Sequence, residues 1–513
     1  MAILTAEQLQ DVHPAYAENL PRWRYLIASY NGGFDYRREG LQMLRKYMNE
    51  DQTPGAQYAN RLNHTALENA SKLVVDTYKS FLFRTTPVRA FSNLQGNTLV
   101  DSFVEDADLD GTSLNAFIQQ CNTYAMVYGS VWVGMDKPAN QNVTTLAQEL
   151  EGGIRPYTTM ITPENVTRWK YERQETGRYE LTQLQVKEAD TDDLTIFRVW
   201  TKETIQRYSF DKQSTSVTLL DEVANPIGSI PFVQLKANQS ATRGIGQSDI
   251  ADVAKVQQAI FSLLSEAEQN IRISSHPSLV VTPEVDVSAG AGAVITVEST
   301  TAPELKPYLL TPSGASIESI IKMITKHQEM IMKMTHLEAV SATKTVAKSG
   351  VALQVEFNML NNRLGEKATQ LEAFEKKLWD LFQIWTGVSF DDGFYVEYKK
   401  KFDLRDDNAD LLNYKTVLEM GLPSQTLNRE LYKQIASIVI KDGDSMDEII
   451  AEIDGKQVSG DKMTPTTPAN RETHIQEMIM NGLTDASILE QHPEISQSDI
   501  DSAKAALLES DNG

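Results

Sequence analysis

The chain has 513 residues, 41% of them hydrophobic and 8% aromatic, a globular composition that excludes wholesale disorder and allows about two to four domains. A net charge of −22 disfavours a simple lysine-lined groove gripping nucleic acid, since such a groove needs local positive excess. One cysteine, Cys121, excludes an internal disulfide framework and suits a reducing cytoplasm.

No apolar run approaches the roughly 18–20 residues of a membrane span, so no membrane partner is expected. The start, "MAILTAEQLQDVHPAYAENL", has acids and no basic segment, unlike a signal peptide. The charge is uneven: residues 402–513 carry 22 acidic and 9 basic side chains, a net of −13. A solvated helical tail accounts for that excess most simply.

In chain order, "HPAYAENLPRWRYLIASYNGG" and "REGLQMLRKYM" read as helices, with Asn31-Gly32-Gly33 as a stop. In "HTALENASKLVVDTYKSFLF", Ala66, Ala70, Leu73, Val74, Thr77 and Phe81 fall at helical spacing. "SLNAFIQQCNTYAMVYG" is a third helix, with Cys121 as a core residue, and "SVWVGMD" is a buried strand. From Ile154 to Phe232 the period changes to that of antiparallel strands separated by polar turns.

From Ser248 the chain is helical again, with a seam at Val253, Val256, Ile260, Leu263 and Ala267 that ends near Ile273. A short-stranded, Gly- and Pro-broken stretch follows, then the helix "SIESIIKMITKHQEMIMKMTHL" and the small-residue loop "EAVSATKTVAKSG". The longest helix runs from Val351 to Trp385. Leu353, Phe357, Leu360, Leu364, Ala368, Leu371, Phe374, Leu378, Phe382 and Trp385 keep one rhythm throughout. At roughly 50 Å it should cross domains or pack on neighbouring subunits. "FYVEYKKKFDL" reads as a strand. The remainder is helical, with a capping box at Ser445 and Glu448 and a linker, "GKQVSGDKMTPTTPAN". The expected class is mainly α with β-rich insertions (α+β).

Motifs for chemistry are sparse. Gly244 and Gly246 follow a strand and precede a helix, as a dinucleotide loop would, but the third glycine is missing. Asp249 at the helix start would repel a phosphate, so Ser248 or Asp249 reads as a helix cap. There is no GxxxxGK[ST], HExxH or GxSxG. His327 and His336 do not share a helix face, "KDGDSMDE" lacks the glycine and distal Glu of a calcium loop, and Asp391-Asp392 suits a turn. No catalytic, metal or cofactor site is expected. "YKKKF" (Tyr398–Phe402) is a basic run that either touches a nucleic-acid backbone or protects a strand edge.

The ordered set "LENASKLVVDTYKSFLF", "YAMVYGSVWVGMD", "NPIGSIPFVQLKAN" and "GIGQSDIADVAKVQQAIFSLLSE" resembles bacteriophage portal proteins (head-to-tail connectors). In that family an x-LG-x-IP segment leads into G-x-SD and a long helix. The resemblance covers Leu67 to Trp385. More weakly, "ILEQHPEISQSDIDSAKAAL" resembles the end of small DUF433-type modules.

The resemblance implies a ring, typically of twelve copies, at one capsid vertex of the virion, assembled in the host cytoplasm. Double-stranded DNA passes through such a ring non-specifically during packaging and ejection. Other implied partners are the terminase large subunit, a head–tail adaptor, and the major capsid or scaffold protein. The implied wing is 1–245, including the β insert 154–232. Stem helices are 246–273 and 314–337, the clip 274–313 and the tunnel loop 338–350. A long wing- and crown-spanning helix and strand occupy 351–404, and an acidic crown 405–513, with the linker at 455–470. Gly244 and Gly246 become the wing–stem hinge, because glycine lets the backbone turn sharply. Lys344 and Lys348 either form rings of positive charge facing the duplex or are incidental lysines of a flexible loop. Two rival readings remain: a helical oligomeric adaptor or scaffold without a DNA channel, and a nucleotide-dependent enzyme using the Gly244/Gly246 loop.

Overall fold

The computed structural model describes residues 4–47, 50, 56–138, 153–275, 278–280, 302, 308–310, 315–338, 350–402, 411, 414–418, 424–439, 449–450 and 452–453. The chain divides into two compact units, Met1–Asp403 and Leu404–Gly513. Of the second, the described part is mainly helix α11 (Gln425–Val439).

The first unit opens with α1 (Ala6–Gln10), started by a capping box between Thr5 and Gln8. Helix α2 (Pro14–Asn31) has Pro14 in its first turn and ends at Gly32, whose φ is +65°. A short turn α3 (Gly33–Tyr36) follows. The expected helix over "REGLQMLRKYM" is reduced to one 3-10 turn, Glu39–Leu41. Gln42 then turns left-handed (φ 48°), and this lets Met43 and Leu44 both point into the core. Tertiary burial overrides helical propensity there.

Helices α4 (Ala56–His64), α5 (Ala70–Leu82), α6 (Thr98–Glu105) and α7 (Leu114–Tyr128) come next. On α5 the buried face is Ala70, Ser71, Val74, Val75, Tyr78 and Leu82. Leu73, expected in the seam, is 50% exposed, so the true stripe is rotated toward Val75 and Tyr78. Ser113 caps α7, and Gly129, left-handed at φ 97°, ends it.

Strand β2 (Ser130–Asp136) is the centre of a three-stranded antiparallel sheet, between β3 (Tyr157–Ile161) and β9 (Phe232–Lys236). Between β3 and β9 lies the expected antiparallel insert. It is a five-stranded meander of β4 (Val166–Arg173), β5 (Tyr179–Asp190), β6 (Leu194–Thr201), β7 (Thr204–Asp211) and β8 (Val217–Ala224). β4 and β8 are its two edges. A small pair joins β1 (Val88–Ala90) to β12 (Tyr395–Glu397).

Helix α8 (Ala251–Ser275) leads to β10 (Ser278–Val280), which pairs antiparallel with β11 (Tyr308–Leu310). Helix α9 (Ala315–Met334) then packs along α8. Helix α10 (Gly350–Thr386) has 37 residues, about 55 Å at 1.5 Å each. Phe357, Leu360, Leu364, Ala368, Leu371, Phe374, Leu378 and Phe382 are all buried, as their rhythm predicts. They share one core with α5, α7, β2, β9 and the start of α8. Each large side chain there contributes roughly 1.5–3 kcal/mol by leaving water. A second cluster of Trp23, Tyr128, Trp132, Trp169 and Trp200 glues the meander to the body.

Candidate functional site

The joint where β9 hands over to α8 holds the glycines singled out in the sequence. Gly129 and Gly246 touch backbone to backbone. A Cβ on Gly246 would sit 2.0 Å from the Gly129 oxygen, and one on Gly129 would sit 2.4 Å from the Gly246 oxygen. The Gly129 oxygen meanwhile accepts from the Ala237 N–H at 2.9 Å. Gly244 is left-handed (φ +79°) and lies under the Trp169 indole, where a Cβ would come within 2.3 Å. The Trp169 Nε1–H donates to the Arg243 carbonyl at 3.1 Å, and the Gln234 amide to the Gly244 carbonyl at 2.7 Å. Both glycines are required by close approach, and Gly244 also by its φ.

Asp249 is not a cap. Its N–H donates to the Met126 carbonyl at 2.9 Å, tying the start of α8 to the end of α7. Its fully buried carboxylate accepts from Lys367 at 2.6 Å, from Arg363 at 3.2 Å and from the Asn238 amide at 2.9 Å. Lys367 is itself only 4% exposed and reaches across from α10. With four partners on one residue, the pair is satisfied in a low-dielectric site. Ser248 takes the local role expected of the segment: its Oγ donates to Met126 O and accepts from the Ile250 N–H, both at 3.1 Å. Helix α8 therefore starts at Ala251, three residues later than the expected start at Ser248. Ser248 Oγ already occupies the Ile250 N–H, and the Asp249 carboxylate adds negative charge at the start of α8, both of which argue against a phosphate held by the Gly244–Gly246 loop.

A second buried pair ties α4 to α8. Both Glu50 oxygens accept from Arg61, at 2.9 and 2.8 Å, and Arg61 also donates to Ser265 Oγ at 3.0 Å. The guanidinium lies 3.9 Å from the Tyr47 ring centroid. The Arg61 hydrogen bonds hold the Glu50 carboxyl below its usual range despite burial. Sequence reasoning missed this pair, since nothing local couples residues 50, 61 and 265.

The remaining candidates separate cleanly. Lys344 and Lys348 lie outside the described residues, as do Ser445 and Glu448. Cys121 is a core residue, and burial pushes its thiol far up. Asp391 shapes a turn by accepting from the Gly393 N–H at 3.0 Å. Strand β12 stops at Glu397, so "YKKKF" is not a strand edge. The Tyr398 hydroxyl donates to buried Glu375 at 2.7 Å, Phe402 is buried, and Lys400 pairs with Glu372 at 2.9 Å. Among the described residues no three His, Cys, Asp or Glu converge to hold a metal. The loop "DADLDGT" (Asp106–Thr112) has alternating carboxylates, but Asp106 pairs with Arg155 at 2.7 Å and Asp108 accepts backbone N–H groups of Asp110 and Thr112.

No curated protein matches the sequence. Three similar solved chains come from gene transfer agent (GTA) particles. One, from the neck of an empty particle with C6 symmetry, is 10% identical with a TM-score of 0.42 and covers 72% of this chain and 91% of that one. A virion chain of the native particle is 10% identical with a TM-score of 0.38, covering 74% and 94%. A native neck chain with C12 symmetry is 7% identical with a TM-score of 0.35, covering 74% and 89%. The sequence profile of phage portal proteins, SPP1 Gp6-like, matches residues 27–456, which take in α5, the meander, the joint, α8, α9 and α10. The chain belongs to the phage portal protein family, the structural proteins that form a ring at one capsid vertex of the virion.

Proposed function

We propose that this portal ring has twelve copies and is the conduit through which double-stranded DNA enters and leaves the capsid. The observation that carries the reading is the helix pair α8–α9, whose far ends meet the strand pair β10–β11 and whose near end is locked to the body through Asp249. In this assignment the body before the joint, residues 1–245, is the wing, and Gly244 and Gly246 turn the chain into the stem. The stem is 246–273 and 314–337, and the clip 274–313. The tunnel loop is 338–350, and the crown 405–513. The clip receives the terminase large subunit during packaging and the head–tail adaptor afterwards, while the wing faces the capsid or scaffold protein.

Ile321, Met323 and Met330 on α9 are each 43–54% exposed, apolar surface that a neighbouring stem would cover. A net charge of −22 suits a conduit that must not hold its cargo: its repulsion of phosphates acts over about a Debye length, ~8 Å. Lys344 and Lys348 then make local, sequence-independent phosphate contacts. The chain performs no catalysis and takes no cofactor; the docked motor supplies the chemistry.

Negative-stain electron microscopy with native mass tests the reading. End-on rings of about twelve copies, with a hole of duplex width, are expected. Compact closed dimers or tetramers without a hole would return the protein to the adaptor reading. Lys344→Ala with Lys348→Ala should leave rings intact and alter DNA packaging or retention; unchanged packaging removes the loop assignment.

A further inference from the structure

Three cations with no acidic partner gather at one side of the five-stranded sheet. Lys236, at the end of β9, Arg243, in the joint, and Lys377, on α10, line a cavity of about 380 Å³ walled by Trp132, Tyr171 and Phe232. The Arg243 guanidinium lies 3.8 Å from the Tyr179 ring centroid, which fixes it at the rim. Among the described residues none of the three has a carboxylate within ion-pair distance, in a chain with 70 acids and 48 bases. Burial first, and then the nearby Arg243 and Lys377 charges, hold the Lys236 ammonium below its usual range. An anion in the cavity would relieve that repulsion.

The opposite edge of the same sheet carries the complementary chemistry. On β8, Asp221 and Glu222 are exposed; Arg207, which stands opposite Asp221 in the register, pairs with Glu188 at 2.8 Å instead. The two acids stand beside Leu220 and Val223, which are 49% and 46% exposed. In the register Asp221 and Val223 share one face, opposite Arg207 and Ile205, Glu222 lies on the other, opposite Gln206, and Leu220 is the extra residue of a bulge, so the edge entering side-on presents acid and aliphatic together. Tyr171 and Leu181 bring the pocket to the β4 side, and β8 is four strand spacings away, about 19 Å. The two patches cannot satisfy each other within one chain. A ring, however, is built head to tail, from two different patches on every subunit.

We propose that the Lys236–Arg243–Lys377 pocket receives the Asp221–Glu222 edge of β8 from a second copy of this chain. The proposal rests on the ring reading. A protein edge is favoured over a DNA phosphate because the half-buried Lys236 lies within an aromatic-walled recess, which a slender strand edge enters more readily than a broad duplex.

Lys377→Cys combined with Glu222→Cys in the full chain is the direct test, since the native Cys121 is buried. Oxidation should give a ladder of covalent multimers on a non-reducing gel, and neither single variant should. Rings seen by electron microscopy without a ladder overturn the docking and leave the ring reading intact. Compact wild-type dimers without a hole overturn both. Arg243→Glu with Lys377→Glu should raise the concentration needed for assembly at least about tenfold, and Asp221→Lys with Glu222→Lys in the same chain should restore most of it. Unchanged assembly of the reversed pocket overturns the proposal. Loss of duplex binding with assembly intact assigns the pocket to phosphate instead, and overturns it equally.

Discussion

The joint at Asp249 and the pocket at Lys236 lie close along the chain yet treat charge in opposite ways. At the joint opposite charges meet: one carboxylate, two cations, an amide and a backbone carbonyl satisfy one another, with Asp249 and Lys367 held away from water. At the pocket three cations face a recess with nothing of opposite sign. The first arrangement makes one subunit rigid where the helix pair leaves it. The second makes that subunit incomplete alone. In a protein of a ring-forming family, paired charges mark what the fold needs, and unpaired charges mark where another molecule belongs.

The contrast can be broken experimentally, beginning at the joint. Asp249→Asn strands a buried Lys367 and should cost about 3–5 kcal/mol of unfolding free energy in urea titration. Lys377→Glu at the pocket should shift the same curve by less than about 0.5 kcal/mol. Equal losses would abolish the distinction. Gly246→Ala pushes a methyl into the Gly129 carbonyl and should cost about 1–3 kcal/mol or more, read as a lowered Tm.

Glu50→Gln sharpens the comparison through pH. The folded Glu50 carboxyl is held below its ordinary value of 4.5, so its stabilisation is present above that value and lost as pH falls through the folded one. The variant should be about 1–3 kcal/mol less stable near pH ~7, and the gap should close in acid as pH falls through the folded value. A gap independent of pH would mean the pair acts by packing alone. The smallest effect belongs to Leu73→Ser, within about 0.5 kcal/mol because the side chain is half exposed, against a clear loss for Val75→Ala on the buried face.

That last pair also shows where the sequence was legible. Helix α10 could be read because eight buried residues repeat one spacing, and the meander because its strands alternate between polar turns. The face of α5 was misread because Leu73 is apolar yet exposed, while Tyr78 turns inward to donate from its hydroxyl to Thr335 O at 2.6 Å. The joint was half legible. Two glycines before a helix announced a tight turn, but Gly129, Met126 and Lys367, which explain it, lie more than 100 positions away. Likewise, Lys236, Arg243 and Lys377 come from a strand, a loop and a helix, and no local pattern joins them.

The pairing of β1 with β12 has a consequence for how each copy is made. Among the described residues, Val88–Ala90 pairs with Tyr395–Glu397, about 300 residues later. At a synthesis rate of 5–20 residues per second, the early helices wait about 15–60 s on the ribosome before the strand that closes their sheet exists. During that interval the face of α5 that packs on α10 is uncovered until α10 is made, and the nascent chain is most exposed to misassembly then. A copy joins its neighbours only after nearly the whole described body has been translated.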